Sequence, residues 1–185
     1  MDVEKRPHRR ARGITLIELL TTVAVVSISL ALLAPGWGSI NERNRVTTAA
    51  NSLLADLRYA RSTAVTRNRR ISLCPSSDGN SCNGQPHSWH AGYIIFVDSD
   101  SNRQREPDEK LLQVRDAQGP GLHIHSTAGR PAISFRPDGA AWSTNTSFSI
   151  CHGGSPAANR AVILYGSGRA RVDRVLPDNR AVDCS

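Results

Sequence analysis

The feature that most constrains this chain is a run of mainly apolar residues from Ile14 to Ala34, in which Glu18 is the single charged residue. As an α-helix, this run would be about 31 Å long, which is close to the thickness of the hydrocarbon core of a bilayer. The preceding residues 1–13 carry five lysines and arginines against two carboxylates. Because positive flanks stay on the cytoplasmic side of a membrane, the pattern predicts one transmembrane helix with a cytoplasmic N-terminus and the rest of the chain on the other side.

Three interpretations of this run compete. An ordinary secretory signal has a shorter apolar region that ends at a small-residue cleavage site, and the residues around Ala34 supply such a site poorly. A plain signal anchor explains the length but leaves Glu18 unexplained, since a carboxylate inside lipid costs roughly 2.5 to 3.5 kcal/mol on insertion scales. The third interpretation gives Glu18 a function.

The third interpretation rests on the motif RGITLIE at residues 12–18. It resembles the processing signal of type IV prepilins and type II secretion pseudopilins, in which a prepilin peptidase cuts after the glycine, here Gly13, and N-methylates the new first residue, here Ile14. Phenylalanine is more common at that position. The family's fifth mature residue is a glutamate, and Glu18 falls there. A buried amine and a buried carboxylate are tolerable only as a pair, so the resemblance implies that Glu18 pairs with the terminal amine of a neighbouring subunit during assembly.

Internal motifs extend the resemblance to pseudopilin H and the FimT-like minor pilins. They are LRYARSTAVTRN at 57–68, ISLC at 71–74, WHAGYIIFVD at 89–98, ISF at 133–135 and GRAR at 168–171. The resemblance implies an α+β fold in which a long N-terminal transmembrane helix packs on a C-terminal antiparallel β-domain. It implies four protein partners: the prepilin peptidase, other minor pilins or pseudopilins, the major pilin and the inner-membrane assembly platform. The subunit would reside in the inner membrane, with its C-terminal domain in the periplasm, before it enters a pilus or pseudopilus.

The sequence predicts four segments: a prepilin leader at 1–13, a transmembrane and assembly helix at 14–35, an amphipathic continuation at 36–70 and a β-rich domain at 71–185. Pro35 removes one helix hydrogen bond and is expected to bend or break the rod. From Ile40 to about Arg69, apolar residues recur at spacings of three and four, which predicts a helix with one buried face. That face comprises Val46, Ala50, Leu53, Leu57, Ala60 and Ala64.

Short β-prone runs separated by turn signals follow the predicted helix, as expected for an antiparallel sheet domain. They are Ile71–Cys74, Gly92–Val97, Leu111–Val114, Leu122–His125, Ala132–Phe135, Ser147–Cys151, Ala161–Tyr165 and Arg169–Val175. About 150 residues remain after the apolar run, which is room for one compact domain.

The four cysteines all lie beyond the apolar run, in the part predicted to face an oxidising periplasm, so disulfides are expected. Four cysteines allow three pairings. Local pairing is favoured, joining Cys74 to Cys82 and Cys151 to Cys184.

Two clusters raise the question of metal binding. Between Asp98 and Glu109, acidic and amide residues occupy positions 1, 3, 5, 9 and 12 of an EF-hand-like loop. Arg103, however, stands where the sharp turn requires glycine, so a solvated hairpin loop is predicted and calcium binding is left open. His123 and His125 alternate onto one face of a predicted strand, but no third ligand is evident, so no metal site is expected. No cofactor is implied, and no frame of nucleophile and base indicates an enzyme.

Arginines dominate the basic residues beyond the leader, where Lys110 is the only lysine. In an extended segment, Arg169 and Arg171 would project on the same side about 6.6 Å apart, which approximates the spacing of adjacent phosphates in DNA. FimT-like minor pilins include DNA-binding components of natural transformation, so the resemblance implies double-stranded DNA as a further partner. The candidate DNA-binding residues are Arg160, Arg169, Arg171 and Arg174. Two alternatives stay open: these arginines form a solvated face, or they pair with carboxylates of neighbouring subunits in a structural tip subunit such as pseudopilin H of the type II secretion system.

Overall fold

The computed structural model describes residues 13–33, 37–153 and 156–184. The chain forms two compact units, residues 1–38 and residues 39–185. The first unit contains helix α1, Leu16–Leu33. Residues 1–12 of the predicted leader and residues 34–36, where a bend at Pro35 was predicted, lie outside the described ranges. Among the helices in those ranges, none has both the length and the apolar character that spanning a bilayer requires.

The start of helix α1 is capped by Thr15. Its hydroxyl oxygen accepts a hydrogen bond from the backbone N–H of Glu18 at 3.3 Å, and its carbonyl accepts the first helical bond, from Leu19. The threonine therefore satisfies backbone donors that every helix N-terminus leaves without an intrahelical partner.

The second unit is built on helix α2, Trp37–Arg67. The predicted apolar face is confirmed, because all six of its residues are at most 1% exposed. Helix α2 starts three residues before the predicted helix, which began at Ile40, because residues 37–39 are also helical. Asn68, with a φ of 49°, ends the helix in the left-handed conformation that commonly terminates helices.

Eight antiparallel strands form two four-stranded sheets. They are β1 Ile71–Pro75, β2 Tyr93–Val97, β3 Leu111–Arg115, β4 Leu122–Ser126, β5 Ile133–Phe135, β6 Thr146–His152, β7 Arg160–Leu164 and β8 Ala170–Asp173. Sheet 1 has the order β3-β2-β1-β5 and sheet 2 the order β4-β6-β7-β8. Each strand lies within one or two residues of a run that the sequence predicted, so the predicted fold class of helix packed on antiparallel sheet is confirmed.

One hydrophobic core joins helix α2 to both sheets. Trp89, Phe135 and Phe148 are its largest fully buried side chains. On β4, β6, β7 and β8, alternate residues enter this core, so the intervening residues form the outer face of sheet 2. A smaller cluster of Cys151, Ala161, Ile163 and Val182 covers part of that outer face.

Two disulfide bonds hold the loop after strand β1 and the C-terminal tail in place. Cys74 bonds to Cys82, and Cys151 bonds to Cys184. This is the local pairing that the sequence favoured. The second bond holds the tail against sheet 2, with Leu176 packed on the same cluster.

Candidate functional site

The processing motif lies at the beginning of the described chain. No side chain comes within 4 Å of the position that a Cβ would occupy on Gly13. Ile14 is 75% exposed, and Glu18 is exposed on the first turn of α1. Among the described residues, the Gly13–Ile14 bond therefore has no close packing partner on the glycine side.

The hydroxyl groups of helix α1 are satisfied within the helix. Each donates to a backbone carbonyl three or four residues earlier, at 2.8 to 3.0 Å; they belong to Thr21, Thr22, Ser27 and Ser29. Such bonds lower the cost of placing a hydroxyl in an apolar environment. The exposed Glu18 carboxylate, in contrast, is given no partner by these intrahelical bonds.

The hairpin between β7 and β8 carries the predicted DNA-binding arginines. In its turn, Gly168 has a φ of 77°, and a Cβ there would lie 1.8 Å from the carbonyl oxygen of Gly139. Only glycine fits this approach. Arg61 of helix α2 donates its Nε–H to that same carbonyl at 3.1 Å, so the helix, the Gly139 turn and the hairpin are held together at one point.

Two arginines face outward from the hairpin. Ala170 and Val172 pack on the core, so the alternation of the strand places Arg171 on the outer face and Arg169, directly before the strand, on the same side. Both are exposed. Arg171 lies 5.8 Å from the ring centroid of Tyr165, a cation–π distance, and 3.1 Å from Asp173 Oδ2.

Two exposed aromatic rings lie at the turn of the same hairpin. Tyr165 is 41% exposed and Trp142 is 63% exposed. The Trp142 ring lies over Gly166, where a Cβ would come within 2.6 Å of it. A pocket of about 440 Å³ is lined by Tyr165, Arg169 and Arg171 with their neighbours in the hairpin. The pocket thus combines two cations with one flat ring, and Trp142 reaches the turn from a distant part of the chain.

The remaining predicted arginines are placed differently. Arg160 donates through Nη1 to the carbonyls of Ala157, Ala158 and Asn159. Burial, with the nearby cations Arg174 and Arg43, lowers its pKa. Arg160 thus stabilises the turn before β7 and has lost donors that a phosphate would need. Arg174 is exposed and follows β8.

The acidic loop at 98–109 joins β2 to β3, so the predicted hairpin connection is confirmed. The prediction of a solvated loop is wrong at the two ends, which are buried. Asp98 Oδ2 accepts a hydrogen bond from Ser72, and Glu109 accepts from the backbone of Ser99 and Glu106. Arg103 adopts a φ of 65°, so it takes up the left-handed turn for which glycine was thought necessary. Burial and the neighbouring Glu106 raise the pKa of Glu109.

The structure brings further histidines to the predicted pair. His90, in the short 3-10 turn Trp89–Ala91, contacts the pair His123 and His125. His87 lies against His125. A third imidazole was not evident from the sequence, because His90 is 33 positions before His123 and comes from another element.

Two features together define the class of protein: the two-sheet domain with its buried helix face, and the processing motif that precedes it in the chain. Residues 49–168, which are more than half of the chain, match the family described as Type II transport protein GspH, and residues 8–34 match the prokaryotic N-terminal methylation motif. The chain belongs to this GspH family of pilin-like subunits.

Known relatives agree with that assignment. Over 167 residues, the chain is 28% identical to the pilin-like protein PilA1 of Thermus thermophilus, which covers 88% of this chain and 98% of PilA1. The structure resembles the type IV minor pilin FimU of Pseudomonas aeruginosa, with a TM-score of 0.58 and 26% identity, over 77% of this chain and 96% of FimU. A second crystal form of FimU gives a TM-score of 0.54, with 25% identity over 73% of this chain and 95% of FimU. The protein is therefore a minor pilin or pseudopilin subunit, and these structural relatives are not enzymes.

Proposed function

We propose that this minor pilin belongs to a type IV pilus and contacts double-stranded DNA during natural transformation through Arg169 and Arg171. The observation that supports DNA contact is the β7–β8 hairpin, where two outward-facing guanidinium groups line one pocket with the exposed ring of Tyr165. Arginine forms bidentate contacts with phosphate. Because phosphate contacts carry no direct sequence information, we expect backbone contact without strong sequence preference.

The likeness to FimU supports the assignment to a type IV pilus. FimU is a type IV minor pilin, and the GspH match is compatible with it because the resemblance stated above spans both machines. The alternative is pseudopilin H of the type II secretion system, a structural tip subunit without DNA binding. The ion pair of Arg171 with Asp173 favours that alternative, since it shows that one of these cations already has a carboxylate partner.

Processing and membrane residence form the second part of the proposal. The methylation motif supports cleavage after Gly13, N-methylation of Ile14 and anchoring in the membrane before assembly. We infer that the N-terminus is cytoplasmic and the domain at 71–185 periplasmic. Because the hydroxyls of α1 are satisfied internally, Glu18 is left to pair with the terminal amine of a neighbouring subunit in the filament.

Fluorescence anisotropy with a short duplex at several salt concentrations tests the DNA contact, using the full chain in non-ionic detergent. If Arg169 and Arg171 each neutralise one phosphate, replacing both with alanine reduces the slope of log affinity against log salt by about 1.8. The matched control replaces Arg58 and Arg67, two exposed arginines of helix α2, with alanine and removes the same charge. Arg61 is unsuitable as a control because it holds Gly139.

Three outcomes separate the candidate functions. Weaker, less salt-dependent binding by the hairpin variant alone supports DNA contact at this site. Equal slopes for the wild type and the hairpin variant would refute the site. A wild type that does not bind the duplex even at low salt would leave the structural tip subunit as the function.

A further inference from the structure

Four of the six histidines gather beside strand β4. We call His87, His90, His123 and His125 the histidine cluster. Ring centroids are 5.1 Å apart for His87 and His125, 5.2 Å for His90 and His123, and 6.1 Å for His123 and His125. Each ring therefore contacts at least one other imidazole of the cluster.

Strand geometry accounts for two members of the cluster. Leu122 and Ile124 point into the core, at 6% and 1% exposure. His123 and His125 alternate with them along the strand, so both histidines lie on the outer face of sheet 2. Their spacing along the strand is fixed by the hydrogen-bonded pairing of β4 with β6. These two imidazoles are thus presented by a rigid element.

A buried tryptophan fixes the position of the third member. Trp89, directly before His90, is fully buried and packs edge-to-face on Phe148, with ring centroids 4.9 Å apart. Its Nε1–H donates to the hydroxyl of Ser126, directly after His125, at 3.1 Å. Since Trp89 is tied to the end of β4, His90 is held next to that strand.

The ligand atoms of the cluster are close together. One ring nitrogen each of His90, His123 and His125 lies within 4.8 Å of the other two. In tetrahedral zinc sites the Zn–N distance of 2.0–2.1 Å places ligand nitrogens about 3.3 Å apart. His123 is exposed, so its side chain has room to change rotamer, and binding an ion would require the three nitrogens to move closer together.

One further observation sets this group apart from a chance contact of surface histidines. His90 Nδ1 is buried, and it has no hydrogen-bond partner among the described residues, although buried polar atoms are nearly always paired.

We propose that His90, His123 and His125 bind a divalent transition-metal ion of the zinc, copper or nickel class, with His87 next to the fourth position. Imidazole nitrogen suits these ions, whereas calcium and magnesium prefer oxygen ligands. His87 and His125 border a pocket of about 370 Å³ that is open to solvent and also lined by Asp178 and Arg180. The pocket gives an ion access to the cluster.

Isothermal titration of the full chain in non-ionic detergent with zinc chloride at pH 7.5 tests this site. We expect one ion per chain, and at least about 100-fold weaker binding for His123→Gln, because loss of outer-shell partners alone typically costs 10- to 100-fold. His152→Gln is the matched control. His152 lies near Arg45 of helix α2, outside the cluster, and its replacement leaves zinc binding unchanged.

A second measurement separates metal binding from a folding defect. Zinc in excess raises the Tm of the wild type, because a ligand that binds only the native state stabilises it. The Tm of His123→Gln equals that of the metal-free wild type and does not respond to zinc. A wild type that fails to bind zinc, nickel or copper, or zinc binding that His123→Gln leaves intact, would overturn the proposal; neither result would bear on DNA contact at the hairpin.

Discussion

The carboxylate of Asp56 on helix α2 binds the guanidinium of Arg115 on strand β3 in a bidentate pair. Its two oxygens accept from Nη2 and Nε, each at 2.7 Å. Tyr93 of β2 donates its hydroxyl to the same carboxylate at 2.6 Å, and burial together with Asp56 raises the pKa of that hydroxyl far above its ordinary value. The Asp56 side chain is 3% exposed, so a buried carboxylate connects helix α2 to sheet 1.

Replacing Asp56 with alanine is expected to lower the free energy of unfolding by about 2 kcal/mol. Removing one partner of a fully buried ion pair typically costs 3–5 kcal/mol, but Arg115 is 41% exposed and its stranded charge can be hydrated. Urea denaturation measures the change. Asp116→Ala, which removes an exposed carboxylate next to Arg115, should change stability by less than about 0.5 kcal/mol. Equal losses for the two variants would mean that burial of Asp56 is irrelevant.

Replacing Gly13 with leucine is expected to leave an uncut precursor. The residue before the cleaved bond must fit the peptidase, and nothing in the protein's own fold is displaced by a side chain there. Immunoblotting of membrane fractions shows whether the slower-migrating precursor accumulates. Efficient cleavage of the leucine variant would refute the assignment of the processing site.

Replacing Glu18 with alanine is expected to permit cleavage but to reduce incorporation into filaments. The cap at Thr15 uses the backbone N–H of residue 18 and survives the change, so the helix start is preserved while the carboxylate is lost. Thr22→Val is the control, because that hydroxyl bonds only to its own helix. Quantifying the subunit in sheared filaments decides the point, and wild-type incorporation of the Glu18 variant would exclude the pairing with the terminal amine.

Replacing Gly168 with alanine is expected to destabilise the domain by more than about 1 kcal/mol and to weaken DNA binding without changing any charge. The new Cβ would collide with the Gly139 carbonyl at a φ that L-residues rarely adopt. Urea denaturation and the anisotropy titration report the two effects. Gly129→Ala has a similar positive φ but open space around it, so it isolates the φ cost from the collision. DNA binding unchanged in Gly168→Ala would show that hairpin geometry does not matter.

The His125 imidazole is expected to titrate below its ordinary value of about 6.5. Because its pKa is lowered in the folded state, the unfolded chain binds the proton more readily, and stability falls as the pH drops through about 6.5 and below. NMR titration gives the midpoint, and unfolding at several pH values gives the stability. In His125→Gln this loss should be smaller over the same pH range. A His125 midpoint at or above 6.5 would contradict the expected effect of burial.

Local sequence patterns were enough to predict the helix face and the strands, and the family resemblance implied the fold class. The helix face from Val46 to Ala64 follows from spacings of three and four, the strands from β-prone runs between turn signals, and the disulfides from their nearness in the chain. Contacts between distant segments could not be predicted this way. His90 lies beside His123 because Trp89 is hydrogen-bonded to Ser126. Arg160 donates to three carbonyls of the turn before β7, and these acceptors depend on the conformation of that turn.

Strand β8 is the last strand of sheet 2, so its outer backbone groups have no neighbouring strand. An open edge of this kind recruits strands from other molecules, and charged side chains are one means by which proteins prevent it. Arg169 and Arg171 place two cations along this edge. We therefore expect these charged side chains to disfavour the pairing of β8 with an apolar edge strand of another molecule.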